Sequence, residues 1–350
     1  MITKPRVFDD DYPATIQHRE AELSVLTSAV EPVLEGERGH DVLIHGSKGV
    51  GKSALTRHVL EQLNRQQPTP SARVQCLGLS TAGLLRSILQ QLPGANPATT
   101  TARETLEREL EARVTEPTVI VLDEGGDVPD TDALAVLRGI PKLSWIAICH
   151  NHNDWLSRAD DETRHAVTNW TLGLDKYSTA ELTDILQERR RAGLEPNVIS
   201  DEQLATIADE AAGIARGAIY SLRAAANLAA ERSHSTVEDI DVTDAYARAT
   251  RRMREEALKS LPFHHHVCYE IVRRRDRLSS HDFHKRYDAI ENVVYADRDQ
   301  TPISKRERRT KLTKLVDYDL LGSDGDTLGR EYWVQDASIS SPLDLTVPVP

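Results

Sequence analysis

Short apolar runs alternate with stretches of helical periodicity through the first half of the chain, and then the apolar runs stop. Asp41-Val-Leu-Ile-His45, Arg73-Val-Gln-Cys-Leu77, Thr118-Val-Ile-Val-Leu122, Trp145-Ile-Ala-Ile-Cys149 and Trp170-Thr-Leu-Gly-Leu174 are of strand length. They are near-continuously apolar, as strands covered on both faces are. Helix-period stretches lie between them at about 52–66, 80–92, 101–115 and 131–138. Such alternation predicts βαβ units on a parallel sheet sandwiched by helices. From Ser178-Thr-Ala-Glu181, a capping box, the pattern turns purely helical and alanine-rich to about Arg252. A charged connection, Arg251-Arg-Met-Arg-Glu-Glu256, leads to a third region, in which helical patterns at Val267–Arg275, His281–Ala289 and Ile303–Leu315 precede two short strands within Leu320–Val334. The expected organisation is a sheet domain over 1–175, a helical domain over 176–252, a third domain over 253–337 and a loose, proline-bearing tail over 338–350.

Composition narrows the class. No stretch approaches the roughly 18 to 20 apolar residues of a membrane span, and the N-terminus is charged and broken by proline where a signal peptide is apolar. A soluble cytoplasmic protein with no membrane partner is expected. The three cysteines, Cys76, Cys149 and Cys268, stand far apart and at no metal-ligand spacing, which argues against a disulfide framework and structural zinc. Lys+Arg total 43 against Asp+Glu 55, a net charge of −12, which argues against indiscriminate coating of nucleic acid. Only ten of the cations are lysines. An acidic, lysine-poor surface suits a salt-loaded cytoplasm, where the Debye length falls to about 3 Å at molar salt.

The densest chemistry lies in Gly46-Ser47-Lys48-Gly49-Val50-Gly51-Lys52-Ser53, followed by Ala54 at the start of a helical pattern. A G-x-x-x-x-G-K-[ST] loop between strand and helix turns backbone N–H groups onto phosphate oxygens at a helix N-terminus. Lys52 is then placed for the β and γ phosphates of ATP, or for the β phosphate of ADP, and the Ser53 hydroxyl for Mg²⁺. About 70 residues on, the apolar strand 119–122 ends in Asp123-Glu124. A carboxylate at that strand end is a metal ligand, through water, for Asp123, and a base for the attacking water in the case of Glu124. The next strand ends in Cys149-His150-Asn151-His152-Asn153-Asp154, where an amide can face the γ-phosphate and the histidines read as polar loop residues. Arg216, in Gly213-Ile-Ala-Arg216 at a helix start, is placed to fold over a nucleotide from the helical region.

These pieces in this order resemble an AAA+ ATPase. With Phe8-Asp-Asp-Asp-Tyr-Pro13, His18-Arg19-Glu20, Asn151-x-x-Asp154, Tyr177-Ser-Thr-Ala-Glu-Leu182 and a terminal Leu261-Pro262…Gly329-Arg330 module, nearly the whole chain is similar to the archaeal origin-recognition and cell-division-cycle type replication initiators, as a divergent, haloarchaeal-like paralogue. The resemblance implies an AAA+ core, a helical lid and a C-terminal winged helix, with nucleotide bound between core and lid by the loop residues, Tyr177 and Arg216. It implies a sensing role for Asn151, origin-like double-stranded DNA as partner, recruitment of the replicative helicase, action at the nucleoid, and a monomer or DNA-dependent dimer. Three departures stand out. The arginine-finger position falls near Glu162, between Arg158 and Arg164; the stretch between phosphate loop and Asp123 is short; and Gly125-Gly126 replace an apolar-acidic pair.

The last region makes its own case. Lys305, Arg306, Arg308, Arg309, Lys311 and Lys314 face one acid, Glu307, on a helix that Ser304 can cap, with Leu312, Leu315 and Val316 toward a core. Three helices and a hairpin read as a winged helix-turn-helix with these six cations projecting outward to DNA and Arg330 at the wing base. His264–His266 read as a helix-start surface, and the arginine runs 189–191 and 273–275 as solvated faces. The function that follows is an ATP-dependent DNA-binding replication initiator with slow hydrolysis as its switch. The alternative is a DNA-binding regulator that holds nucleotide without turnover. A general remodeller ranks last, since 80–100 carries no aromatic pore loop.

Overall fold

A computed structural model describes the chain apart from residues 13–14, 129–130, 297, 327–328 and 344–350, and for 127, 131 and 132 it describes the backbone alone. The chain divides into two compact units, Met1–Tyr246 and Ala247–Pro350.

The first unit runs α1 (Glu20–Val30), β1 (Val42–Gly46), α2 (Lys52–Gln66), β2 (Ser71–Gln75), α3 (Thr81–Leu89), α4 (Arg103–Arg113), β3 (Thr118–Asp123), α5 (Thr131–Gly139), β4 (Leu143–Cys149), α6 (His152–Arg158), α7 (Asp161–Val167) and β5 (Thr171–Leu174). All five expected strands form, in one parallel sheet ordered β2-β3-β4-β1-β5. β2 ends at Gln75, not Leu77, because its pairing runs from Ser71 opposite Val119 to Gln75 opposite Asp123. The period-2 alternation of Cβ directions sends Leu43, Ile120, Leu122 and Trp145 to a core under α3, α4 and α5. Val42, Ile44, Val121 and Ile146 face the opposite core, under α1 and α2. Parallel strands put the carboxyl ends of β1, β3 and β4 on one edge, where the chain's polar motifs emerge. The short helices α6 and α7 escape periodicity analysis; their signals are the capping residues Asn151 and Asp160, each accepting the N–H three positions on.

Helices α8 (Thr179–Gly193), α9 (Asp201–Glu210), α10 (Ala215–Glu231) and the start of α11 (Asp239–Ser260) complete this unit. Capping boxes at Ser178/Glu181 and Ser200/Gln203 start α8 and α9. Ala218, Ala224, Ala225, Ala226 and Ala229 on α10 are buried, their small side chains letting neighbouring helices approach. The sheet and the helices that follow it fall in one compact unit, without the expected division near 175, and the two units meet at Tyr246/Ala247, close to the expected 252. The charged stretch 251–256, expected as a connection, lies inside α11, with Arg251–Glu255 and Arg252–Glu256 as i,i+4 pairs.

The second unit follows the order of a winged helix: α12 (Phe263–Arg273), β6 (Leu278–Ser279), α13 (Ser280–Val294), α14 (Lys305–Asp317), β7 (Leu321–Asp324) and β8 (Glu331–Val334), with an antiparallel sheet β6-β8-β7. Two further expectations are overturned here. His265 and His266 are buried with the rest of α12, through Val272, and do not form a surface. The tail is docked as far as it is described: Ile339 is buried, Tyr269 Oη donates to Ile339 O (3.0 Å), and Ser341 N donates to Glu270 Oε1 (2.8 Å).

Candidate nucleotide and DNA sites

The phosphate loop joins the end of β1 to the start of α2. Gly46 has φ +142°, and a Cβ there would lie 2.3 Å from Leu174 O of the adjacent strand. Gly49 has φ +81°, and its Cβ would meet Ile214 Cγ2 at 2.8 Å. Only glycine fits both demands. Within the loop Val50 is fully buried, and Ala54 is half-buried in the first turn of α2. Lys52 is itself buried, its Nζ donating to Gly46 O (2.7 Å) and Ser47 O (2.9 Å). Burial lowers its pKa to about 8, with the Glu124 charge opposing that shift.

Ser53 Oγ lies 3.3 and 3.4 Å from the Asp123 carboxylate oxygens. A hydroxyl and a carboxylate together are hard oxygen donors of the kind Mg²⁺ takes, with phosphate and water completing its shell. The loop, Lys52, Ser53 and Asp123 thus fit a magnesium nucleotide. Asp123 also accepts from Glu124 N (3.1 Å) and from Arg73 Nη2 on β2. Glu124 has φ +53° and is largely buried, with both carboxylate oxygens near His150 Nε2, at 3.2 and 3.3 Å.

The sensing position therefore divides. Asn151 is exposed and spends its Oδ1 on Asp154 N (3.1 Å) as the cap of α6, while its neighbour His150 reaches Glu124. Arg216 does come to the loop: its N–H donates to Gly49 O (3.1 Å), and its guanidinium pairs with Asp10 (Nε–Oδ1 3.1 Å, Nη2–Oδ2 3.0 Å). Tyr177 is buried beside Gly51, with Arg19 stacked over its ring at 4.0 Å; burial raises its pKa. Arg158 and Arg164, which flank the expected finger position, pair with Asp154 and Asp161, and Glu162 pairs with Arg138. Periodicity and motif spacing did not single out Asp10, Arg73 or His150 as site residues. Arg73 had a detectable signal, a cation in a run of strand length, between the buried Ala72 and Val74.

In the second unit the six cations of α14 do not behave alike. Lys305, Arg306 and Arg309 are exposed, and Lys311 is half-buried. Arg308 and Lys314 are buried, which corrects the expectation that all six project outward. Arg308 lies 3.7 Å over the Tyr287 ring, pairs with Asp288 and Glu291, and donates to Ile303 O (2.9 Å). It is a structural clamp between α13 and α14. Lys314 sits over Tyr318 at 4.9 Å. Arg330, half-buried, immediately precedes β8, and its carbonyl accepts from Ser280 N (2.8 Å).

The AAA ATPase domain profile matches residues 15–268. "ORC1-type DNA replication protein 9" of Halobacterium salinarum is 31% identical over 97% of this chain and 96% of its own length. The chain belongs to the ORC1-type DNA replication proteins, within the AAA ATPases. A second Halobacterium relative, "ORC1-type DNA replication protein 1", is 28% identical over 87% of this chain and 99% of its own. The fold of this ORC1-type chain matches the Aeropyrum pernix ORC1 protein solved in complex with DNA, with TM-score 0.74 at 22% identity over 95% of this chain and 93% of that one. It also matches Cdc6p from Pyrobaculum aerophilum, with TM-score 0.64 at 19% identity over 99% and 96%. No helix among the described residues is long and apolar enough to cross a membrane.

Proposed function

We propose that this ORC1-type chain is an ATP-governed DNA-binding replication initiator, acting at origin-like duplex sites in the nucleoid and helping to bring in the replicative helicase. The observation that carries the reading is the approach of Ser53 to Asp123 at the mouth of the phosphate loop, with Glu124 adjacent. Lys52, the loop N–H groups and the helix dipole of α2 favour phosphate. Ser53 would hold Mg²⁺ directly and Asp123 through water; the ion supplies charge neutralisation at the phosphates when bound. Glu124 accepts the proton of the attacking water, held by His150. Arg216 reports the nucleotide from the lid, Asn151 stabilises the adjacent helix start, and Tyr177 lines the pocket wall. Slow turnover suffices, because the protein switches and does not pump.

DNA contact falls to Lys305, Arg306 and Arg309, with Lys311 and Arg330 at the margins. Single-turnover hydrolysis is expected to fall about 10²- to 10⁴-fold in Glu124→Gln, with ADP binding retained. Equal rates would remove the catalytic role. Footprinting on the gene's neighbouring DNA in high potassium salt, with ATP and with ADP, tests the rest; a protected site that depends on the nucleotide is expected, and none would defeat the initiator reading. The alternative, a regulator that holds nucleotide without turnover, is favoured by the pairing of both finger-region arginines, Arg158 and Arg164, within the chain.

A further inference from the structure

Asp123, the carboxylate read above as the metal ligand, has a cation of its own. β2 is the edge strand of the sheet, so the outward main-chain groups of Arg73 meet no further strand. Gln91, just beyond α3, takes both: Arg73 N donates to Gln91 Oε1 (3.0 Å), and Gln91 Nε2 donates to Arg73 O (3.0 Å). The Cα of Arg73 is thereby held in place. The register pairs Arg73 with Val121 and Gln75 with Asp123, so Arg73 stands two positions behind Asp123 on the same face of the sheet. Its guanidinium runs forward along that face and Nη2 meets Asp123 Oδ2, on the carboxylate that Ser53 also approaches. Asp123 is 16% exposed and Arg73 36%, so the pair is partly screened from water. A guanidinium keeps its charge throughout the accessible pH range.

We propose that Arg73 is a specificity-determining residue of the metal site, a built-in cation that a divalent ion must displace from Asp123. The inference rests on the reading of Asp123 as a metal ligand. Arg73 and Lys52 balance Asp123 and Glu124 in formal charge. A bare divalent ion is therefore disfavoured, and one arriving with the phosphates of a nucleotide brings its own compensating charge. Arg73 selects the metal–nucleotide complex over the metal alone. Once displaced, its partly exposed side chain can remain in solvent without cost from burial.

Mn²⁺ titration of the full chain, read by the loss of the free-ion paramagnetic resonance signal, tests this without reference to hydrolysis. Arg73→Gln is expected to bind Mn²⁺ alone about threefold to tenfold more tightly than the native chain, the range for removing one partly exposed competing charge. Arg73→Lys, which keeps the charge, should stay near native. Asp123→Asn introduced into Arg73→Gln should abolish the gain. Equal or weaker Mn²⁺ binding by Arg73→Gln, with Asp123→Asn still impairing Mn²⁺–ADP binding, overturns the role of Arg73 while leaving Asp123 as a ligand. Unchanged Mn²⁺–ADP binding in Asp123→Asn overturns both, because the metal site itself would then be misplaced. Circular-dichroism melting confirms that each variant is folded; the exposure of Arg73 leaves room for glutamine.

Discussion

At the phosphate loop, Lys52, Asp123 and Arg216 come together and each has a partner there: loop carbonyls accept from Lys52, Arg73 pairs with Asp123, and Asp10 pairs with Arg216. On α14 the charges diverge: Lys305, Arg306 and Arg309 face water, while Arg308 turns inward to Tyr287, Asp288 and Glu291. The first arrangement is built by short-range geometry, a glycine turn followed at once by a helix. The second is built by helix phase. Thirteen residues span more than three turns, so a run of cations must meet the core somewhere, and a cation that does so needs counter-ions there.

That contrast can be broken most sharply at Lys52. Lys52→Ala removes a buried charged donor, and ADP affinity is expected to fall by about 3 kcal/mol, a hundredfold or more, in a fluorescent-nucleotide titration; the fold should persist. Arg308→Ala should do the reverse. It leaves Asp288 and Glu291 without their cation and removes the Tyr287 stack, destabilising the winged-helix unit by about 3 kcal/mol, readable in urea unfolding, with nucleotide affinity unchanged.

Acid should also separate the two regions. Burial, with Lys311 adding to it, lowers the pKa of His265 to about 3, so the folded form keeps this ring neutral while the unfolded chain takes a proton near pH 6.5. Stability from this site is complete above pH 6.5 and declines by about 1.4 kcal/mol per unit as pH falls toward 3. From pH 7 to 5 the winged-helix unit should lose about 2 kcal/mol from His265 alone. His266 and His284, also lowered mainly by burial, add in the same direction. His265→Phe should flatten the slope measured by denaturant titration at pH 7, 6 and 5. A His265→Phe profile identical to the native one would remove His265 as the cause.

Asn151 supplies a smaller discriminating effect. Its structural cap predicts that Asn151→Ala costs about 1 kcal/mol of stability and that Asn151→Ser restores it; a residue that also touches the γ-phosphate would show a hydrolysis defect that serine does not repair. Smallest of all, Arg306→Ala should leave the melting curve within about 0.5 kcal/mol. It should weaken DNA binding and reduce the magnitude of the salt slope by about one.

How much was legible beforehand follows the same division. The five strands were readable because buried parallel strands are apolar on consecutive positions. Their ends shifted where pairing, not composition, set the limit, as at Gln75. The charged stretch at 251–256 looked like a connection because it lacks an apolar face, yet i,i+4 pairs carry it inside α11. The histidines of 264–266 looked like surface because their polarity is visible and their burial is not. His150, Arg73 and Asp10 went unassigned because each acts on a residue distant in the chain.

What the chain order alone determined is the chemistry of the phosphate loop and its paired acids, since a G-x-x-x-x-G-K-S turn closes over eight consecutive residues and a strand-end Asp-Glu over two. Only the tertiary structure decided which counter-ion each of those groups meets, which of six cations on α14 remain at the surface, and that His265 and the first part of the tail belong to a core. Spacing along the chain governs local backbone geometry. Rotational phase, strand register and the desolvation of charge depend on neighbours brought in from elsewhere.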